Sequence, residues 1–222
     1  MIQNKSILAI IPARKGSKRL INKNEKILKG KPLIEWTINT AKKSKYIDQI
    51  IVSTDSKKII QLSNTLNVMA PFIRPNYLSN DDSKSSDVII HSINWLKKNT
   101  NKQYDYFIFL QPTSPLRTCI SIDNSIETFY SNSKFDYLIS VSKFNKINKI
   151  KFSLTDKGFE FNEYLKDYSN FFINGAIYIA KTNFFLSQKF FDYNKTIGYI
   201  MNSIEGIDID TIDDFKLASK HL

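Results

Sequence analysis

The sequence predicts an α/β fold built on a doubly wound, mostly parallel sheet. Short apolar runs alternate with amphipathic stretches along most of the chain. The runs are continuous rather than every second residue, as strands covered on both faces require. The rhythm breaks over residues 143–170, where weak alternation and a Thr-Asp-Lys-Gly turn predict a β-rich insertion.

Residues 6–11 read as the first strand and residues 32–43 as a helix, with Leu33, Trp36, Thr37 and Thr40 on one face. A second strand is expected over 49–53, a second helix over 56–66 and a short third strand over 68–73. Residues 85–99 form a helix with Val88, His91, Ser92 and Trp95 aligned. Residues 105–110 are the most apolar run and belong at the centre of the sheet. A helix over 121–130 and a strand over 137–141 complete the regular part. After the insertion, residues 176–180 rejoin the sheet. Residues 211–222 close the chain as a helix, opened by a capping box of Thr211 and Asp214.

A chain of 222 residues, 42% hydrophobic, suits one domain with a sizeable core. The lone cysteine, Cys119, excludes an internal disulfide and points to a reducing compartment. The first apolar run, residues 7–11, is too short for a signal peptide or a membrane span, so a cytoplasmic protein is expected, away from membranes. The net charge of +11 raises the nucleic-acid-binding class. However, the lysines are scattered, with pairs at Lys42-Lys43, Lys57-Lys58 and Lys97-Lys98 on helix surfaces, where solvation explains them. A single-strand binder also interleaves aromatics with its cations, and residues 13–26 contain none.

Four motifs carry chemistry. The segment IPARKGSKRL follows the first strand and runs on to Lys23-Asn24, gathering Arg14, Lys15, Lys18, Arg19 and Lys23 about one glycine. A triphosphate needs such charge and backbone donors held close together. Composition alone fits a solvated loop or a phosphate-backbone clamp equally well; the position at a strand's carboxyl end favours a nucleotide. The segment LQPTSPLR sits past another strand, stiffened by two prolines, with Gln111 offering a donor and an acceptor. In NGAIY, Gly175 permits close approach and Tyr178 brings a ring and a hydroxyl. In IDIDT, Asp208 and Asp210 point the same way in extended chain and suit a hard cation beside phosphates. Arg74-Pro75, with Asp81, Ser83, Ser85 and Asp87 after it, can face a base or ribose; its plainer reading is a polar loop with Ser85 or Asp82 capping the next helix. Asp55 reads as a helix cap, His91 as a core residue, and Cys119 has no partner for catalysis.

Taken in order, IPARKGSKR…KN, RP…L…D…S…D, LQPTSPLR, NGAIY and IDIDT resemble the acylneuraminate cytidylyltransferase (CMP-sialic acid synthetase) family over residues 7–215. The resemblance implies a Rossmann-like nucleotide-binding fold and a homodimer dependent on Mg²⁺ or Mn²⁺. Residues 143–172 match where the family puts its dimerisation subdomain. It implies CMP transfer from CTP to the anomeric hydroxyl of a sialic, legionaminic or pseudaminic acid, with loss of pyrophosphate. By the same resemblance, Arg14, Ser17, Lys18, Lys23 and Asn24 hold the triphosphate, and Arg74, Ser83 and Ser85 contact cytidine. Gln111, Asn174, Tyr178 and Phe191 line the sugar site, and Asp208 and Asp210 hold the metal. Arg14, Lys18, Asp208 and Asp210 are the expected catalytic set. Two departures stand out. Ile21 replaces a usual proline, and Phe171-Phe172-Ile173 precedes Asn174 where sialic acid enzymes often carry an arginine, which opens the choice of sugar. The first loop lacks the STRLPGKP form of the KDO enzymes, which ranks that acceptor lower.

Overall fold

The computed structural model describes residues 2–143, 152–155, 158–161 and 171–222. The chain opens with β1 (Ile7–Ala13). A small hairpin follows, β2 (Ile27–Leu28) paired with β3 (Lys31–Pro32), whose two-residue turn puts Lys29 and Gly30 at φ of 47° and 83°. Both turn residues thus take the positive φ that matches the twist of a tight hairpin. Then come α1 (Leu33–Lys42), β4 (Gln49–Thr54), α2 (Lys57–Thr65), α3 (Ser85–Thr100), β5 (Tyr106–Phe109), α4 (Cys119–Ser131) and β6 (Tyr137–Lys143). A hairpin of β7 (Phe152–Thr155) and β8 (Gly158–Phe161) leads to β9 (Phe171–Lys181), α5 (Thr182–Gln188), β10 (Thr196–Met201) and α6 (Ile212–His221).

The main sheet runs β10-β6-β9-β5-β1-β4. Five of these strands run parallel, and β9 is reversed between β5 and β6. Both faces are covered. Along β1, Ile7, Ala9, Ile11 and Ala13 pack in a core with α1 and α4, while Leu8 and Ile10 pack in another with α3 and α5. This two-sided burial is why the strand reads as an unbroken apolar run. The expected third strand over 68–73 is reduced to isolated parallel bridges, Ile51 with Met69 and Thr54 with Ile73. Pro71 interrupts it, having no N–H to give a ladder.

The β-rich insertion is represented by β7 and β8; β7 pairs with β9 through Phe152 and Phe171. The remainder of the 143–172 segment expected as a dimerisation subdomain lies outside the described residues. No helix among the described residues is long and apolar enough to cross a membrane.

β9 carries the irregularity that shapes the site. Ile139 faces Tyr178 and Val141 faces Ile173, so four residues, Asn174 to Ile177, oppose the single Ser140. Gly175 turns the bulge at φ 78°. The Ser140 hydroxyl closes it, donating to Asn174 Oδ1 (2.6 Å) and accepting from the Ile177 N–H (2.8 Å).

Candidate active site

A cavity of about 470 Å³ opens at the carboxyl ends of β1 and β5, the edge where open α/β sheets take ligands. The chain leaves β1 at Ala13 and supplies Arg14, Ser17, Lys18, Lys23 and Asn24 to one wall. The loop is pinned from below. Asp55 Oδ1 accepts from the Lys15 N–H at 2.7 Å, and Asn24 Nδ2 donates to the Arg14 carbonyl at 3.1 Å. Asp55 therefore tethers the basic loop, and the cap of α2 is its neighbour Ser56, which accepts from the Ile59 N–H.

A second loop crosses the mouth. Ser83 accepts from the Asn80 N–H, and its hydroxyl lies 2.7 Å from Asn80 Oδ1, which folds residues 77–83 back on themselves. That turn carries Asp81 onto the basic loop: Oδ1 is 2.7 Å from Arg14 Nη2, and Oδ2 is 2.5 Å from Lys18 Nζ. The Lys18 and Arg14 bonds hold the Asp81 carboxyl below its ordinary range. Ser83 and Ser85 line the cavity, but neither Ser85 nor Asp82 caps α3, whose N-cap is Lys84 with no side-chain bond.

Arg74 lies deeper, 3% exposed, with its N–H on the Thr54 carbonyl at 2.7 Å. Its Nε reaches Ser79, and Nη2 has no partner among the described residues. Burial pushes its pKa down to about 10, with Asp55 opposing and Arg14 adding to the fall. A desolvated guanidinium with a spare donor facing a cavity is a binding group for an anion or a carbonyl oxygen.

A further part of the lining comes from residues 208–210. Ile209 is fully buried, and its N–H donates to the Thr113 carbonyl at 2.8 Å. Its two neighbours, Asp208 and Asp210, line the cavity. Asp210 bonds Arg19 at 2.8 Å and Lys23 at 3.0 Å. Burial pushes the Asp208 carboxyl up, and the Asp210 charge adds to this. Among the described residues no third acidic, histidine or cysteine side chain joins them in a metal-holding group. The donor set is thus two carboxylates on a cavity that also gathers cations, which fits a hard cation that takes its remaining ligands from phosphate and water.

The four residues expected to line the sugar site separate. Gln111 lines the cavity, two residues beyond β5. Asn174 does not: it is 3% exposed, and its amide is spent on Ser140, Ser142 and the Ala176 N–H. Tyr178 and Phe191, with ring centroids 5.4 Å apart, stand behind Phe109, whose ring does line the cavity. Burial, then Tyr193 and Asp208, push the Tyr178 hydroxyl up to about 12. The sequence reading missed Phe109 and Thr113 on the cavity wall and gave Arg19 no ligand role. It also missed Gly206, where a Cβ would overlap the Ser142 hydroxyl and the Asn174 amide. The carboxylate segment can approach the β9 bulge only with glycine there.

Comparison with known proteins adds an independent line. A family model described as Cytidylyltransferase matches residues 8–218. The chain is 35% identical over 220 residues to the N-acylneuraminate cytidylyltransferase of Escherichia coli, covering 96% of this chain and 51% of that one. It is 37% identical over 225 residues to the CMP-N,N'-diacetyllegionaminic acid synthase of Legionella pneumophila, covering 96% and 95%. The chain therefore spans about half the length of the first relative and nearly all of the second. Among solved structures, a CMP:2-keto-3-deoxy-manno-octonic acid synthetase complexed with CTP superposes with a TM-score of 0.75 at 16% identity, covering 98% of this chain and all of that one. That likeness speaks for the fold.

Proposed function

The chain belongs to the cytidylyltransferase family, and from that membership we propose that it transfers CMP from CTP to the anomeric hydroxyl of a sialic-acid-like nonulosonic acid. One observation carries the reading: a single cavity is lined by Arg14, Lys18, Lys23 and Arg74 together with Asp208, Asp210 and Gln111. Such a site receives a triphosphate on its cations and a second substrate beside its carboxylates. The legionaminic acid relative, matched along nearly its whole length, supports a nine-carbon acceptor of that type.

Arg14, Lys18 and Lys23 bind the triphosphate, aided by Ser17 and by Asn24, whose Oδ1 has no partner among the described residues. Arg74, Ser83 and Ser85 face the cytidine. Asp208 and Asp210 would hold a Mg²⁺, which would supply charge neutralisation for phosphate oxygens. The anomeric oxygen attacks the α-phosphorus in line, forming an O–P bond as the bond to the bridging oxygen of pyrophosphate breaks. The hydroxyl proton passes to a carboxylate or to solvent. Arg14 and Lys18 then stabilise the leaving group, and positioning supplies much of the rest.

The same reading carries a homodimer joined through residues 143–172, working in the cytoplasm where CTP is made. Its test is a screen of CTP, UTP and GTP against sialic, legionaminic, pseudaminic and KDO acids, read as pyrophosphate release. CTP with a nine-carbon acid is expected to lead. KDO as the best acceptor, or equal use of CTP and UTP, would overturn the assignment of substrate.

A further inference from the structure

The ladder between β5 and β9 ends where Phe109 faces Tyr178. Continued in that register, Leu110 would face Ile177 and Gln111 would face Ala176, but this is where the β9 bulge, turning at Gly175, ends the pairing. Two carbonyls are left at the opening, and Arg117 takes both. Its Nη1 lies 3.2 Å from the Gln111 oxygen and 2.6 Å from the Ala176 oxygen, while Nη2 donates to Thr37 Oγ1 of α1 at 2.9 Å.

This arginine is 2% exposed and pairs with no carboxylate among the described residues. Burial pushes its pKa down to about 9. A guanidinium placed there is expensive, and an apolar side chain of similar volume would spare the fold its desolvation. The bonds it makes must therefore matter for what they hold. They hold Gln111, whose side chain runs across Gly175 with Oε1 only 3.1 Å from where a Cβ would stand.

We propose that Arg117 is a positioning residue for the acceptor sugar: it locks the Gln111 backbone to the β9 bulge so that the Gln111 amide meets the sugar acid, while CTP is held independently. The inference rests on the functional reading above. Arg117 lies outside the cavity lining, so a direct role in CTP binding is absent from its geometry. A lysine cannot reproduce it, because a single ammonium lacks the fork that spans two strands and a helix.

The experiment varies CTP and sugar separately in wild type, Arg117→Lys, Gln111→Ala and the double variant. Arg117→Lys should raise KM for the sugar about tenfold or more, as displacement of a binding contact does, and leave KM for CTP unchanged. In the Gln111→Ala background it should add nothing further. Thr37→Val, which loosens the guanidinium without emptying its site, should give the same split at smaller size, and it stands in should Arg117→Lys fail to fold. Equal rises in both KM values, or additive effects in the double variant, would overturn the proposal. A wild-type protein that releases pyrophosphate with no sugar acid would remove the functional reading and this one with it. An active wild type with an indifferent Arg117→Lys would remove this one alone.

Discussion

At the rim of the cavity, Arg14, Lys18, Arg19 and Lys23 each rest on a side-chain carboxylate; beneath the floor, Arg117 rests on carbonyls and one hydroxyl. Lys18 and Arg19 stand open to water, at 81% and 72% of their side chains, and such pairs are weak and exchangeable; Lys23, at 13%, is more enclosed but also donates to the Ile209 carbonyl. An incoming triphosphate can replace Asp81 on Arg14 and Lys18 without leaving a buried charge behind. The floor has no such freedom. Backbone oxygens cannot swing away, and removing their partner strands them. Rim residues should therefore register in kinetics and barely in stability, and floor residues in both.

Asp210→Asn is the largest test of that division. Turnover should drop at least ~100-fold, the scale of losing a principal charge-stabilising group, while the melting temperature holds. A large thermal shift in that variant would break the contrast. Gly206→Ala strikes the floor, pressing a methyl into Ser142 and Asn174. Overpacking of this kind costs about 1–3 kcal/mol, so the melting temperature should fall by roughly 2–12 °C, with activity falling alongside. Unchanged thermal stability would mean that the floor yields more than its bonding suggests. Lys18→Ala should lower kcat as well as raise KM for CTP, by roughly tenfold in kcat/KM, because charge on the leaving group grows in the transition state. Asp81→Asn is the smallest and runs the other way. Freed of its competitor, the rim should bind CTP about two- to fivefold tighter, with the gain fading as salt rises. Weaker CTP binding in that variant would make Asp81 a ligand rather than an occupant of the anion site.

The rim was legible in the sequence because its residues announce themselves. Five cations about Gly16 and two aspartates at alternate positions have few structural uses, and Arg14, Ser17, Lys18, Lys23, Asn24, Asp208 and Asp210 all line the cavity. The floor was not legible. Arg117 looks like any polar residue ahead of a helix until α1 and β9 close around it, and only the register of β9 reveals that two carbonyls need it. The family resemblance puts Asn174 at the sugar site, whereas its amide is consumed within the bulge. The same limit governed the fold. Strands buried on both faces, such as β1 and β5, stand out as unbroken apolar runs, whereas β10 is half-exposed and contains Gly198, and α5 spans seven residues, so neither gives a clear signal. Asp55 and Ser56 were indistinguishable as caps, because the competitor for Asp55 was the distant Lys15 N–H.

The placement of β9 has a consequence for how the chain is made. The strand that joins β5 to β6 is synthesised after both, and after everything between them. A nascent chain that has produced β6 holds the parallel β5-β1-β4 half-sheet with its inner edge of apolar residues unpaired, and β6 itself without a neighbour, since β10 follows β9. Such edges are templates for intermolecular pairing until they are covered. Closure waits on a contact between distant parts of the sequence, which raises contact order and slows the final step of folding. The Arg117 seam lies on that late-arriving strand, so the polypeptide acquires its sugar-positioning floor only when the sheet itself becomes continuous.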